Sequence, residues 1–318
     1  MLYDQAKSEP RVSVVVRSLG RLWALTELLE RLVSQEHDSF EVVIIEQTQN
    51  PGREDLRKLK PFLRDPRIRW IKQDPLGGPR ARNEGVRRSR GSIIILIDDD
   101  DLPVKTDWIS AHEAYYRDPN LIGLTARHIW QLGEPCPYPG WRILRRRCLS
   151  YSILKTPYTF ARFDSDIHPV MWIHGTNASF RREKILQADL WDETVKTQDE
   201  HSLAFKIHKT MSKDEYLAFK AYPLVLRRKN IEGGMEKRQA DVVDELRSQL
   251  QFFHRVIGRY FPLRFRFFYP AYLMIAVWRT LAWLWHDIPT QTGLKGKIKK
   301  SIEVFEKLPV VVLEEFRR

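Results

Sequence analysis

The first third of the chain alternates between two hydrophobic periods. Four apolar runs rich in β-branched residues have the length of strands: "RVSVVVRS" (11–18), "FEVVIIEQ" (40–47), "PRIRWIKQ" (66–73) and "SIIILID" (92–98). Between them, "RLWALTELLERLVSQ" (21–35) and "GPRARNEGVRRSR" (78–90) predict helices, and the second of these begins after Gly77-Gly78. This order of elements predicts an α/β fold with a central, mostly parallel sheet and helices on both faces.

The pattern is less regular after residue 120. Residues 121–175 are rich in proline and aromatic side chains, and we expect loops and short strands there. The segments "NASFRREKILQADLWDE" (177–193) and "QDEHSLAFKIHK" (198–209) have helical patterns, and "YPLVLRRKN" (222–230) has a strand pattern. From Ile231 the chain is helical, basic and aromatic, with Gly233-Gly234 as the predicted hinge. We therefore expect an α/β domain over residues 1–230 and a helical C-terminal region over residues 231–318.

Four consecutive aspartates, Asp98 to Asp101, follow directly on the apolar run that ends at Ile97. In open α/β sheets ligands bind outside the carboxyl ends of the strands, where carboxylates meet solvent, a cation and backbone donors, so this cluster need not be buried. Hard divalent cations prefer oxygen ligands, and Asp98 and Asp100 suit a shared role in which one holds a metal and the other reaches a nucleotide sugar. The alternative is an acidic turn in which Asp101 is the N-cap of the next helix.

Composition and charge suggest an anionic binding partner but do not identify its class. The 318-residue chain is 43% hydrophobic and has a formal net charge of +12, so its surface should attract nucleic acid, phosphorylated substrates or acidic lipid headgroups. Cys136 and Cys148 match no metal-site spacing, and we expect structural thiols. The N-terminal stretch has no apolar signal region, which predicts a cytoplasmic protein. Residues 267–287 are apolar and aromatic, but Pro270 and Arg279 interrupt them, and we do not expect them to span a membrane.

Six motifs in order resemble the family 2 glycosyltransferases, which have the GT-A nucleotide-sugar-binding fold, over roughly residues 11–230. These are "VSVVVRSLGR" for the first strand and turn, "EVVIIEQT" for the second strand, "GGPRARNEG", "LIDDDD" for the DxD element, "GTNASFRRE" on the acceptor side, and "QDEHSLAFK" for the later acidic motif. The resemblance implies a nucleotide-diphosphate sugar donor, a saccharide or lipid-linked acceptor, and Mg²⁺ or Mn²⁺ as cofactor.

The resemblance also implies roles for individual residues. The donor-binding positions are Arg17, Glu46, Gly77, Gly78, Arg82, Asp98 and Asp99. Asp100 is the metal ligand, assisted by Asp98, and His174 and Asn177 lie on the acceptor side. The implied mechanism is an inverting single displacement in which Glu200 removes the proton from the acceptor hydroxyl. An alignment shifted by one residue would give that role to Asp199.

The chain departs from the family pattern at three places. Glu46-Gln47 stands where the family more often has two aspartates, and the later acidic pair is reversed as Asp199-Glu200. Where the family often has a histidine after its last core strand, this sequence offers Lys229 or Asn230. These positions affect contacts with the base, the identity of the catalytic carboxylate, and binding of the metal or diphosphate, respectively.

Each candidate residue also has a structural interpretation. Arg17 and Arg82 could be solvated charges, the latter beside Arg80, Arg87 and Arg88, and Gly77-Gly78 could be a plain loop. Asp199-Glu200 could be an acidic pair at a helix N-terminus, and His174 could be a core histidine. Three tryptophans could stack on a sugar ring or belong to the core: Trp130, Trp141 and Trp172.

The C-terminal region has two interpretations. Arg255, Arg259, Arg264 and Arg266 precede the aromatic segment and "KGKIKK" follows it, which is typical of a helix in a membrane interface. In that case the protein is peripheral on the cytoplasmic membrane face, and a lipid-linked acceptor becomes plausible. Alternatively, the segment packs on the catalytic domain with three tryptophans in its core: Trp278, Trp283 and Trp285.

We therefore expect a glycosyltransferase, with cell-surface polysaccharide or glycolipid synthesis as the pathway suggested by analogy. A nucleotidyltransferase is an alternative, because paired carboxylates also suit metal-assisted attack on phosphate, but the acceptor-side motifs argue against it. A basic protein that binds nucleic acid or an acidic membrane is the other alternative. Because the acidic strand end would repel a polyanion, we expect no nucleic-acid partner.

Overall fold

The computed structural model describes residues 9–136, 145–159, 161–195, 198–228, 241–286 and 293–317. The strands are β1 (Val12–Ser18), β2 (Phe40–Glu46), β3 (Ile68–Lys72), β4 (Ile93–Asp98), β5 (Asp101–Pro103), β6 (Leu121–Ile129), β7 (Ser150–Tyr151), β8 (Pro157–Tyr158), β9 (Ile167–Val170), β10 (Ala178–Arg181) and β11 (Tyr216–Arg227). The helices of the α/β domain are α1 (Leu22–Val33), α2 (Arg53–Leu59), α3 (Gly78–Arg88), α4 (Trp108–Tyr115), α5 (Arg182–Gln187) and α6 (Asp199–Thr210). Those of the C-terminal region are α7 (Val242–Gln251), a π-helical turn (Phe252–Ile257), α8 (Gly258–Tyr260), α9 (Pro262–Phe267), α10 (Tyr269–His286) and α11 (Gly293–Arg317).

Within the described residues, nine strands form one mixed sheet in the order β3-β2-β1-β4-β10-β6-β11-β5, with β9 paired to β11. The first four strands of this order are parallel, and Val12 pairs with both Phe40 and Ile93. The short β10 runs antiparallel between β4 and β6, and β6 runs parallel to β11. The parallel half brings the carboxyl ends of β1, β2 and β4 to one edge, which confirms the predicted fold class.

The apolar runs form strands because both of their faces are covered. Along β1, Val15 faces one core cluster together with Leu96 of β4, while Val14 and Val16 face a second cluster on the opposite side of the sheet. Side chains in a strand alternate between faces, so a continuous apolar run supplies both cores at once. Helix α3 covers the first face and helix α1 covers the second.

The C-terminal helices pack on the α/β domain through a third cluster. Tyr272 and Leu284 of α10 are buried in this cluster, which also includes Phe205 of α6. On the outer side of α10, Trp278 is 67% exposed. The region does pack on the α/β domain, but Trp278 and Trp285 are exposed and not in its core as that interpretation expected, whereas Trp283 packs against the cluster. None of the helices in the described ranges combines the length and hydrophobicity needed to cross a membrane.

Several local predictions were wrong. Residues 121–129 form a nine-residue, fully buried strand of the central sheet, where only loops and short strands were expected. Residues 178–181 are the strand β10, because this segment fills the space between β4 and β6, and the following helix begins only at Arg182. Asp101 lies in β5 and is not a helix cap, since α4 begins after Asp107. The predicted hinge at Gly233-Gly234 lies outside the described residues.

Candidate active site

The aspartate cluster is neutralised by arginines from distant parts of the chain. Both oxygens of Asp98 accept hydrogen bonds from Arg17, at 2.6 Å from Nε and 2.9 Å from Nη2. Arg21 pairs with Asp99 and, at 2.9 Å, with Asp100. The cluster was expected to rely on solvent and backbone donors, but it is largely buried, and guanidinium groups make this burial tolerable.

Asp101 has hydrogen-bond partners that the carboxylates of the other three aspartates do not share. Its carboxylate accepts a 2.7 Å hydrogen bond from the Thr176 hydroxyl and a 3.2 Å bond from Arg227 Nε. Burial raises its pKa to about 6, although Arg227 opposes this. Burial also opposes ionisation of Asp98, but the Arg17 guanidinium outweighs it and holds the pKa of Asp98 well below its usual value. Asp98 is therefore a permanent carboxylate at neutral pH.

The glycine turn before α3 lets Arg17 take its position. Gly77 has a φ of +103°, which favours glycine. At Gly78 an added Cβ atom would lie 2.3 Å from Arg17 Nη1, closer than any real contact. Gly78 thus makes room for the arginine that pairs with Asp98, and neither glycine is among the residues that line the cavity described below.

A second ion pair joins α3 to α6. Arg82 Nη1 donates to Asp199 Oδ2 at 2.5 Å, and both side chains are buried. A Cβ atom at position 175 would lie 2.6 Å from Arg82 Nη2, so Gly175 admits the guanidinium. Arg82 is therefore not a solvated charge. Because Asp199 is paired with Arg82, Glu200 is the member of the acidic pair that Arg82 does not bind.

Glu200 differs from Asp199 in its electrostatic environment. Burial, and then the charge of Asp199, raise the pKa of Glu200 to about 7. A carboxylate with a pKa near the working pH can both accept and release a proton, as a general base requires. The two neighbouring acids thus differ in environment: Asp199 is paired with Arg82, whereas Glu200 carries the raised pKa.

These groups line one cavity of about 710 Å³ at the carboxyl end of the sheet. Its lining includes six of the predicted site residues: Arg17, Arg82, Asp98, His174, Asp199 and Glu200. It also includes Arg227, which the sequence reasoning missed even though this residue follows the last apolar positions of β11. A cavity of this size could hold a nucleotide or a sugar.

The remaining predicted residues lie elsewhere. Asn177 is fully buried, donates to the backbone oxygens of Arg127 and Pro223 at 3.1 Å each, and accepts from Trp108 Nε1 at 3.0 Å. It joins β6, β10, β11 and α4, and it is not among the residues that line the cavity. Asp99 is likewise enclosed, with a 2.8 Å bond from the Ser18 hydroxyl in addition to Arg21.

Glu46 ends β2 as predicted, but its carboxylate is occupied by nearby groups. It accepts a hydrogen bond from the Thr48 backbone and one from Lys72 Nζ at 2.6 Å. Asp100 lies outside the cavity lining as the described residues define it, although its side chain is 19% exposed beside Arg21.

Three aromatic positions were predicted as sugar contacts or core. Trp172 is 1% exposed and borders the cavity, and its ring centroid lies 5.1 Å from that of His174. Burial lowers the pKa of His174 to about 4, so this ring is neutral at pH 7. Trp130 lies under the Arg162 guanidinium, at 5.4 Å. Trp141, Lys229 and Asn230 lie outside the described residues.

Asp98 and Asp100 are the residues predicted to hold a metal ion, and here Asp98 pairs with Arg17 while Asp100 pairs with Arg21. Mg²⁺ and Mn²⁺ take oxygen ligands and are commonly bound by one or two carboxylates together with substrate phosphates. In the described part of the chain, no group of three or more histidine, cysteine, aspartate and glutamate side chains could hold a metal ion. Among the described residues the protein alone thus builds no complete metal cage, and a cation held here would need oxygen ligands from a substrate.

Comparison with known sequences identifies one family. The sequence model described as "Glycosyl transferase family 2" matches residues 13–187. An uncharacterized glycosyltransferase of Rickettsia bellii is 33% identical over 100 residues, which is 31% of this chain and 14% of that protein. One of Rickettsia felis is 31% identical over 120 residues, 37% of this chain and 19% of that protein. The chain thus matches only a small part of these longer relatives.

Solved structures share the fold at low sequence identity. The mannosyltransferase PcManGT from Pyrobaculum calidifontis, in complex with GDP-Man and Mn²⁺, superposes with a TM-score of 0.56 at 16% identity, covering 97% of this chain and 85% of that one. Residues 1–349 of TarS from S. aureus, in complex with UDP-GlcNAc, superpose with a TM-score of 0.55 at 13% identity, covering 96% and 91%. These similarities confirm a GT-A-like fold.

Proposed function

The chain belongs to glycosyl transferase family 2, and we propose that it moves a sugar from a nucleotide-diphosphate sugar to an acceptor hydroxyl with inversion at the anomeric carbon. The observation that carries this proposal is the convergence of Asp98, Asp199 and Glu200 on one cavity, with Arg17 and Arg82 beside them. Structures of similar fold hold GDP-Man or UDP-GlcNAc, which supports a donor of this class.

In the proposed reaction the chain's own residues carry the charges. Arg17, Arg82 and Arg227 face the cavity and offer positive charge to a diphosphate, for which guanidinium groups have matching geometry. Glu200 accepts the proton of the acceptor hydroxyl as the oxygen attacks the anomeric carbon, and the nucleoside diphosphate leaves on the opposite face. The chain needs no nucleophile of its own for this single displacement.

A divalent cation completes the proposed donor site. Mg²⁺ or Mn²⁺ held by Asp98 and Asp100 with the diphosphate would neutralise charge on the leaving group. The PcManGT complex with GDP-Man contains Mn²⁺, which supports a divalent cation as cofactor. Asp99 and Glu46 then act at the donor site through the residues they hold, since their carboxylates are occupied by protein groups.

The proposal is tested by release of nucleoside diphosphate from UDP-, GDP- and dTDP-sugars, each measured with Mg²⁺ or Mn²⁺. We expect one donor class to be turned over, and Asp98→Asn to reduce this turnover because it removes the charge that fixes Arg17. The matched control is Asp164→Asn, which changes an exposed aspartate of the same domain. Turnover of no donor by the unaltered protein would refute the proposal.

We further propose that the C-terminal helices attach the protein to an anionic membrane surface. Phe267 is 81% exposed, and Met274 and Trp278 follow on the same side of α10, each 67% exposed. Along α11, Leu294, Ile298, Ile302 and Phe305 form a second exposed apolar stripe. The basic residues Arg266, Lys295 and Lys299 are exposed nearby, which complements acidic headgroups.

This arrangement supports a lipid-linked acceptor and a peripheral protein on the cytoplasmic membrane face. Co-sedimentation with vesicles tests it directly. We expect binding to phosphatidylglycerol-containing vesicles, little binding to purely phosphatidylcholine vesicles, and loss of binding in a Phe267→Ser, Trp278→Ser double variant. Leu132→Ser is the matched control, because Leu132 is 68% exposed on the α/β domain. Equal binding by the double variant and the control would refute the attachment surface.

A further inference from the structure

The cavity extends beyond the α/β domain and reaches two helices of the C-terminal region. Glu245, Ser248 and Gln249 of α7 line it, and so do Arg279 and Trp283 of α10. Glu245 and Gln249 are four residues apart on α7, as are Arg279 and Trp283 on α10, so the members of each pair share one helix face. Two helix faces from outside the family-matched residues 13–187 thus form one wall of the cavity that contains Glu200.

This wall is polar where its surroundings are apolar. Around it, the third core cluster is built from residues such as Leu246, Leu250 and Tyr272. Within the wall, Gln249 Nε2 donates to Glu245 Oε1 at 2.7 Å. Arg279 is held by a 3.0 Å hydrogen bond to the backbone oxygen of Pro157. Helices that only packed against the domain would not need polar groups on this face.

One buried oxygen atom of the wall lacks a hydrogen-bond donor. Gln249 Oε1 is shielded from solvent, and no residue in the described ranges donates a hydrogen bond to it. A buried amide oxygen without a donor destabilises the protein, so such atoms call for a partner. Because Gln249 lines the cavity, a hydroxyl or amide group of a bound molecule could supply that hydrogen bond.

We propose that this wall, formed by Glu245, Gln249, Arg279 and Trp283, binds the saccharide part of the acceptor, an inference that rests on the proposed glycosyl transfer. The Trp283 ring offers a flat apolar surface to the face of a pyranose ring, and the three polar side chains offer donors and acceptors to its hydroxyl groups. A lipid chain would not need the polar groups, which is why a sugar fits the wall better.

Placing the acceptor sugar on the wall separates the proposed donor and acceptor regions of the cavity. The ion pair between Arg17 and Asp98 belongs to the sheet edge, whereas the wall belongs to the C-terminal helices. Glu200 opens α6 and lines the same cavity, so a sugar on the wall presents its hydroxyl to the proposed base. Acceptor choice would then depend on α7 and α10, and donor choice on the α/β domain.

Saturation-transfer NMR tests the inference with named probes: methyl glycosides of glucose, galactose, mannose, N-acetylglucosamine and rhamnose. We expect the unaltered protein to transfer saturation to at least one probe. The signal should fall about fivefold or more in Gln249→Leu, which keeps the volume, and in Trp283→Leu, as expected for loss of about 1 kcal/mol of contact energy. The control is Asp244→Asn, which alters an exposed residue of α7 and should keep the signal.

Calorimetric titration of the same samples with UDP, GDP and dTDP separates the outcomes. Nucleotide binding without transfer to any glycoside, or with equal transfer in both wall variants, would overturn the acceptor wall and leave the proposed function standing. Glycoside binding that depends on Gln249 and Trp283 in a protein that binds no nucleotide would support the wall and overturn the proposed function. Thermal unfolding of each variant checks that loss of signal is not loss of fold.

Discussion

Glu200 gives the sharpest prediction, because its environment sets both its role and its pH dependence. Its pKa is raised to about 7, first by burial and then by the charge of Asp199. A general base works only when it has lost its proton, so the transfer rate should rise with pH through this value. With a pKa of about 7, the carboxylate fraction is about 3% at pH 5.5 and about 90% at pH 8, which predicts a rate ratio of roughly thirty.

The assay is kcat/KM for sugar transfer, which reports the pKa of the free enzyme, taken from initial rates between about pH 5 and pH 9 in buffers of constant ionic strength. Glu200→Gln should lower the rate by about 10² to 10⁴ while nucleotide affinity stays unchanged, since the base acts on the acceptor proton. Asp199→Asn should leave more activity and move the acid limb to lower pH, because it removes the second contribution to the raised pKa. Glu183→Gln, at an exposed site on α5, is the control.

Two results would refute this reasoning. A rate that does not change between about pH 5.5 and pH 8 would mean that no group with the pKa of Glu200 limits the reaction. Activity abolished by Asp199→Asn but retained in Glu200→Gln would assign the base to the other member of the pair.

Three further changes test the positions of the charged groups and the core around them. Arg17→Lys should weaken nucleotide binding about tenfold in calorimetry, because an ammonium group cannot make the two-point contact with Asp98; unchanged affinity would contradict the role of this pair. Gly175→Ala should lower transfer and donor turnover together, since its Cβ atom would displace Arg82, and normal kinetics would show that Arg82 is not needed in its observed position. Asn177→Ala should lower the free energy of unfolding by about 2–4 kcal/mol in urea titrations, because buried partners lose their hydrogen bonds; a loss below about 0.5 kcal/mol would contradict its structural assignment.

Local pattern was sufficient to predict the elements that are long, buried and regular. The runs that became β1, β2 and β4 carry apolar residues on both faces, and this alone predicts central parallel strands. The strand β10 was missed because it has only four residues and is followed at once by the charged helix α5. Four residues are too few for a period of two to be distinguished from a helical one.

The candidate site was predictable as a location but not as a set of partners. The sequence pattern correctly predicted that Asp98 lies at the end of a strand, and the family motifs pointed to Asp199 and Glu200. The arginines that make the aspartate cluster tolerable come from far away, since Arg227 is 126 positions from Asp101. Pairings of this kind depend on how β11 returns beside β6, which no local pattern contains.

The wall formed by α7 and α10 could not be predicted from the sequence either. The sequence marks the C-terminal region as helical, basic and aromatic, and it singles out Trp283 as a core candidate. It does not indicate that Gln249 and Trp283 border one cavity, because they lie on separate helices and meet only after both pack on the α/β domain.

The most direct test of the central claim is calorimetric titration of the purified protein with UDP, GDP and dTDP, each with and without Mn²⁺ or Mg²⁺, repeated with Asp100→Ala. The account predicts binding of one nucleotide with a dissociation constant on the order of micromolar, strengthened by the metal and lost in the variant. Binding of no nucleotide in any condition, together with tight and salt-sensitive binding to nucleic acid, would contradict it.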